Sequence, residues 1–295
     1  MIKSKTAQDL VAQKQELIEA HLNKISQDFQ CPAMLKEAMT YSLLAGGKRF
    51  RPLLVLASAE LAGLDEEIIL PMACAMEMIH TYSLIHDDLP AMDNDNLRRG
   101  KPTSHKMFGE AMAILAGDAL LNEAMLLLMQ EYGGSTTGAA AIADIARSSG
   151  KDGMIAGQVL DIQSEGQTID MKTLEEMHQK KTGAIITSSL TAPFLLAGKP
   201  TREVQELVQF GLSLGILFQI QDDILDVESN AETMGKTVGK DARDDKSTYV
   251  SILGLDPSKT RLKELNADLK AFAILNKPSG SLLEAIVEVF AKRDH

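Results

Sequence analysis

The sequence predicts an all-α chain, a single-domain helical bundle over residues 1–295. Ala, Leu, Met, Glu, Gln and Lys are abundant, and no sustained run of alternating β-branched residues occurs. Start and stop signals recur. Thr173 with Glu176 and Ser281 with Glu284 have capping-box spacing, and Asp256-Pro257 reads as a cap followed by a first-turn proline. Gly46-Gly47, Gly133-Gly134 and Gly198 read as stops. Two segments, about residues 71–86 and 204–226, are predicted as the central helices. The second is apolar on nearly every side between residues 211 and 221, as a helix at the centre of a bundle is.

Composition narrows the function classes. The chain is 45% hydrophobic and 24% charged with a formal net charge of -11, an ordinary soluble composition and a poor match to nonspecific nucleic-acid binding. Any anionic substrate therefore needs local cations. The two cysteines, Cys31 and Cys74, have neither metal spacing nor a disulfide framework, which fits a reducing compartment. Residues 1–25 are polar and helical in pattern, without the apolar centre of a signal peptide. The most apolar stretch, residues 111–129, is interrupted by Asp118 and Glu123, so no integral membrane protein is expected and the cytoplasm is the expected location.

The chemistry sits at two acidic clusters. Asp87, Asp88, Asp93 and Asp95 crowd together at the end of the first central helix, and Asp222, Asp223 and Asp226 near the end of the second. Carboxylates are disfavoured at a helix C-terminus, so two such placements ask for a shared cation. Asp222 and Asp226 are four apart and share a helix face. Asp87 and Asp93 do not, but Pro90 disfavours helix at Leu89 and bends the chain back. Carboxylates with water and phosphate oxygens make a magnesium shell. Three basic knots accompany them: residues 46–52 (GGKRFRP), Arg98-Arg99, and Lys180-Lys181 before Thr182-Gly183. Glycines let the backbone approach a ligand and arginines fork onto phosphate, so more than one polyphosphate is expected.

GGKRFRP, HDDLPAMDNDNLRRGKPTSH, GQVLDI, KTG and FQIQDDILD, in this order and spacing, resemble the short-chain trans-isoprenyl diphosphate synthases, and among them the bacterial farnesyl diphosphate synthases. The likeness spans about residues 41–249 and continues weakly to the C-terminus. It implies an isoprenoid-synthase-type bundle around a deep central cavity, a homodimer, and Mg2+-dependent condensation of isopentenyl diphosphate with dimethylallyl or geranyl diphosphate to farnesyl diphosphate through an allylic carbocation. It also implies roles for individual residues. Asp87 and Asp93, with Asp88 assisting, and Asp222, with Asp223 and Asp226 through water or at one remove, hold magnesium. Arg98, Lys181 and Lys236 hold the allylic diphosphate. Lys48, Arg51, His80 and Arg99 form a metal-free pocket for isopentenyl diphosphate. Thr182 and Gln219 line the reacting carbons, and Lys246 belongs to the same motif region. Tyr82, five positions before Asp87 and about 7.5 Å down the helix axis, is expected to floor the product cavity beside the small Ser83. Residues 227–247 are expected to be a loop that closes over diphosphate through Lys236, and the C-terminal AKRDH to fold over the site as well.

Other readings explain less. A geranylgeranyl diphosphate synthase differs only in product length. A di-iron carboxylate bundle needs paired Glu-x-x-His motifs, which Glu77–His80 and Glu175–His178 supply, but it leaves the aspartate clusters and basic knots without a role. A non-catalytic subunit of a heteromeric prenyl synthase usually lacks one aspartate motif, and here both are intact.

Overall fold

The computed structural model describes residues 6–232, 247–272, 275 and 281–291. Its helices are α1 (Ala7–Gln27), α2 (Ala33–Leu43), α3 (Phe50–Ala62), α4 (Glu66–Asp87), α5 (Ser104–Phe108), α6 (Glu110–Tyr132), α7 (Thr136–Ser149), α8 (Met154–Ser164), α9 (Met171–His178), α10 (Ala184–Leu196), α11 (Thr201–Glu232), α12 (Tyr249–Leu253), α13 (Leu255–Ala271) and α14 (Ser281–Ala291). The strands among the described residues form a small antiparallel hairpin, β1 (Leu97–Arg98) with β2 (Lys101–Pro102). Both linking residues, Arg99 and Gly100, have positive φ (54° and 73°), which the tight type I′ hairpin turn requires.

The chain forms two compact units, Met1–Ile142 with Ala192–Gly198, and Ala143–Thr191 with Lys199–His295. In the first, α4 is the central helix: residues 72–79 are all buried. It starts at Glu66, earlier than the sequence suggests, so Pro71 lies inside it. Proline removes a ladder bond and opens the turn. The Tyr132 hydroxyl from α6 enters the opening, accepting from Met72 N–H at 3.2 Å and donating to Ile68 O at 2.7 Å. A contact from sixty residues away thus repairs the turn, and the acidic start, Glu66 and Glu67, favours the dipole.

Caps differ from the expected ones. Thr6 and Asp9 form a full capping box on α1. The cap of α9 is Asp170, which accepts from Thr173 N–H at 2.8 Å, so Thr173 is inside the helix. Gly254 caps α13, with Asp256 and Pro257 in its first turn. In the second unit α11 runs on to Glu232, so residues 227–232 are helix rather than loop, and Asp222 to Asp226 are inside it, away from its C-terminal dipole. α4 and α6 are long and apolar enough to cross a membrane by length and composition, and 78% of the apolar window of α4 is buried within the protein.

Candidate active site

In the first unit α4 ends at Asp87 with Asp88 as its cap. Pro90 stops the helix, and the backbone turns: Asn94 N–H donates to Leu89 O at 3.0 Å and Asp93 N–H to Asp87 O at 2.8 Å. Asn94 takes a positive φ of 50° to complete the turn. Asp93 is thereby brought back against Asp87, and both residues are half-buried.

Asp88 has a different environment. It is 3% exposed. Arg98 clamps it, Nε reaching Oδ1 at 2.8 Å and Oδ2 at 2.9 Å, with Nη2 at 2.7 Å from Oδ1. Burial pushes the Asp88 carboxyl up from its ordinary range against the pull of Arg98. Burial works to lower the Arg98 guanidinium, but the Asp88 hydrogen bond and charge, then Asp87 and Asp95, carry it upward. The pair fixes Arg98 at the base of β1.

Next to it, Arg99 donates to Gly46 O. A Cβ on Gly47 would sit 2.5 Å from the Arg99 guanidinium carbon, so the glycine of the GGKRFRP knot makes room for an arginine of the second knot. His80 shares this cluster: desolvation, then the charges of Arg51, Arg99, Arg98 and Arg49, holds its imidazole well below the usual range, so it is neutral at pH 7. Lys48 is exposed, and its carbonyl accepts from Gln15 Nε2 at 2.8 Å. Arg49, in sequence one more cation of the knot, is 2% exposed and anchors it, with Nε 2.6 Å from Glu19, Nη1 2.5 Å from Glu77 and Nη2 2.9 Å from Leu43 O. Glu77 is therefore committed to a buried ion pair, which removes one member of a di-iron motif.

Tyr82 is 6% exposed, and its hydroxyl has no hydrogen-bond partner among the described residues. Burial and then the charge of Asp87 push the phenol to about 12. Its ring stands edge-on to His86, centroids 5.8 Å apart. Ser83 donates to His80 O at 2.8 Å.

In the second unit, Lys181 and Thr182 lie in a π-helical turn, Gln179–Gly183, between α9 and α10. Such widened turns are frequent at functional sites. Gly157 of α8 lies against the Lys181 backbone with no room for a Cβ, and one turn later Asp161 pairs with Lys181 Nζ at 2.5 Å. Gln219 Nε2 donates to Asp223 Oδ1 at 2.9 Å, and Tyr249 N–H to Asp223 Oδ2 at 2.8 Å. Asp222 and Asp226 are half-buried on the same helix. Asp161, His178, Lys181, Gln219 and Asp223 line a cavity of about 150 Å3. His178 is buried against Tyr249, ring centroids 5.5 Å apart, and burial lowers its imidazole to about 4. The sequence gives Asp161 and Tyr249 no role of their own, although Asp161 belongs to GQVLDI, and it marks His178 only as part of a Glu-x-x-His pair. Lys236 and Lys246, and most of the segment expected to close over the site, lie outside the described residues.

Comparison with known proteins identifies the family. The polyprenyl synthetase family model matches residues 32–273. The chain is 44% identical to a farnesyl diphosphate synthase of Geobacillus stearothermophilus, covering 98% of this chain and 99% of the relative. It is 47% identical to a chloroplastic geranylgeranyl pyrophosphate synthase of Capsicum annuum over 90% of this chain and 73% of the relative. The apo crystal structure of an FPP/GFPP synthase from Zymomonas mobilis superposes with a TM-score of 0.85 at 33% identity, covering 97% of this chain and 100% of that one. The chain belongs to the polyprenyl synthetase family.

Proposed function

We propose that this enzyme is a prenyltransferase that condenses isopentenyl diphosphate with dimethylallyl and geranyl diphosphates, giving farnesyl diphosphate. The observation that carries the reading is the Asp87–Asp93 turn, set beside Arg98 and Arg99 and neutral His80. Asp87, Asp93, Asp222 and Asp226 supply carboxylate oxygens, hard donors that suit magnesium. Among the described residues no three metal-ligating side chains converge. Magnesium, when bound, neutralises the leaving diphosphate as a Lewis acid.

The chain's own residues do the rest. Lys181, Arg98 and, outside the described residues, Lys236 meet allylic diphosphate oxygens, and Lys246, also outside them, is a further substrate-binding lysine of the same motif region. Lys48, Arg51, His80 and Arg99 receive isopentenyl diphosphate, where a neutral imidazole offers hydrogen bonds among guanidinium charges. Thr182 and Gln219 turn side-chain dipoles to the allylic cation. Apolar side chains keep water away from it, and the departing diphosphate takes the proton lost at the end.

Tyr82 sets the product length, and Ser83 leaves the ring space. The single-domain reading is supported by a family match that runs through both units. The chain forms a cytoplasmic homodimer, consistent with free thiols at Cys31 and Cys74 and with the exposed apolar side chains Leu115, Leu126 and Met129 of α6. Light scattering checks the dimer. Chromatography of products from the purified chain with geranyl and isopentenyl diphosphates tests the main reading. Fifteen-carbon product is expected, shifting to twenty carbons or more in Tyr82→Ala. An unchanged length in that variant removes Tyr82 from the account, and a twenty-carbon product from the unmodified chain favours the geranylgeranyl alternative.

A further inference from the structure

Asp223 sits in the middle of an acidic cluster, yet it is 3% exposed and both of its oxygens accept hydrogen bonds. One comes from Gln219, a turn earlier on α11, the other from the backbone of Tyr249 at the start of α12. A carboxylate only accepts. Gln219 must therefore present its NH2 group to Asp223, and Oε1 is the polar atom left to this cavity-lining side chain.

We propose that Asp223 is a positioning residue rather than a magnesium ligand: it locks the Gln219 amide with its carbonyl oxygen toward the reacting carbons. The inference rests on the prenyltransferase reading. The negative end of the amide dipole then meets the developing allylic cation, and a preset dipole needs no reorganisation as charge appears. A flipped amide would present NH2 and reverse the sign. The Tyr249 N–H contributes to the lock by holding the carboxylate on its second oxygen, so Asp223 cannot turn away from Gln219.

Asp223→Asn keeps the shape but can donate as well as accept, so it no longer dictates which way the amide points. The purified full chain is first assayed for condensation with Mg2+; absence of activity there refutes the prenyltransferase reading itself. With activity present, Asp223→Asn is expected to lower kcat about 100-fold, with KM for geranyl diphosphate and the Mg2+ concentration for half-maximal rate changed less than about twofold. In a Gln219→Leu background the same substitution is expected to add less than about threefold, because its effect passes through the amide. A rise of about tenfold or more in the Mg2+ requirement, with kcat restored at saturating Mg2+, makes Asp223 a metal ligand and overturns the proposal. Full additivity with Gln219→Leu also overturns it. Should Asp223→Asn fail to fold, Gln219→Leu alone decides. It leaves Asp223 and its Tyr249 bond in place, and the proposal needs the same loss of kcat at an unchanged Mg2+ requirement.

Discussion

In the first unit the carboxylates gather where a helix ends, and in the second they lie inside a helix that continues to Glu232. Asp93 reaches Asp87 through a backbone turn at Pro90, with a bond from Asp93 N–H to Asp87 O. Asp222 and Asp226 need no turn, because helical periodicity puts them on one face. The second aspartate of each adjacent pair behaves alike in the two units. Asp88 and Asp223 are each 3% exposed, and each holds another polar group, Arg98 or Gln219. Loop or helix, the first aspartate of each pair is half-buried and the second is buried against the group it holds; under the proposed function the first is the one offered for metal.

The largest expected effects test that division. Asp87→Ala and Asp222→Ala should each lower kcat/KM about 1,000-fold while leaving the urea unfolding midpoint nearly unchanged. Near-full activity in either variant would break the symmetry between the clusters. Next comes the anchor behind the first cluster. Glu77→Ala leaves Arg49 buried beside one remaining carboxylate, and should cost about 3–5 kcal/mol in urea unfolding.

The second unit carries a pH dependence through His178. Its folded pKa is lowered from 6.5 to about 4, first by burial, with Lys181 lowering it further and Asp161 opposing. The unfolded chain therefore binds the proton more readily. Stability is fully present above about pH 6.5 and declines by up to about 3 kcal/mol as the pH falls toward 4. His178→Gln should flatten that slope in urea titrations across this range. The smallest effect belongs to the turn: Pro90→Ala loosens it by about 0.4–1 kcal/mol, which should raise the Mg2+ requirement about two- to fivefold.

Much of this was legible in the sequence because it is local. Pro90 announces the turn, residues four apart announce a shared face, and buried runs announce central helices. What the sequence concealed depends on distant partners. Pro71 reads as a helix start, and only Tyr132 explains why the helix passes through it. Asp88 and Asp223 read as helpers of the metal ligands, and the groups each of them holds, Arg98 and Gln219, are visible only in the fold. Arg49 reads as one more cation of a basic knot, yet Glu19 and Glu77 bury it. The π-helical turn that carries Lys181 and Thr182 has no signature in QKKTG itself, although Gly157 is the vacancy against which that turn packs.

The central claim is that the half-buried aspartates serve a metal-dependent condensation. The direct measurement is the rate of product formation from isopentenyl and geranyl diphosphates by the purified chain, titrated with Mg2+ and then with EDTA. Farnesyl diphosphate is expected in the presence of Mg2+, with turnover lost on chelation and restored by added Mg2+. Turnover that persists in excess EDTA, or none at any Mg2+ concentration, would contradict it.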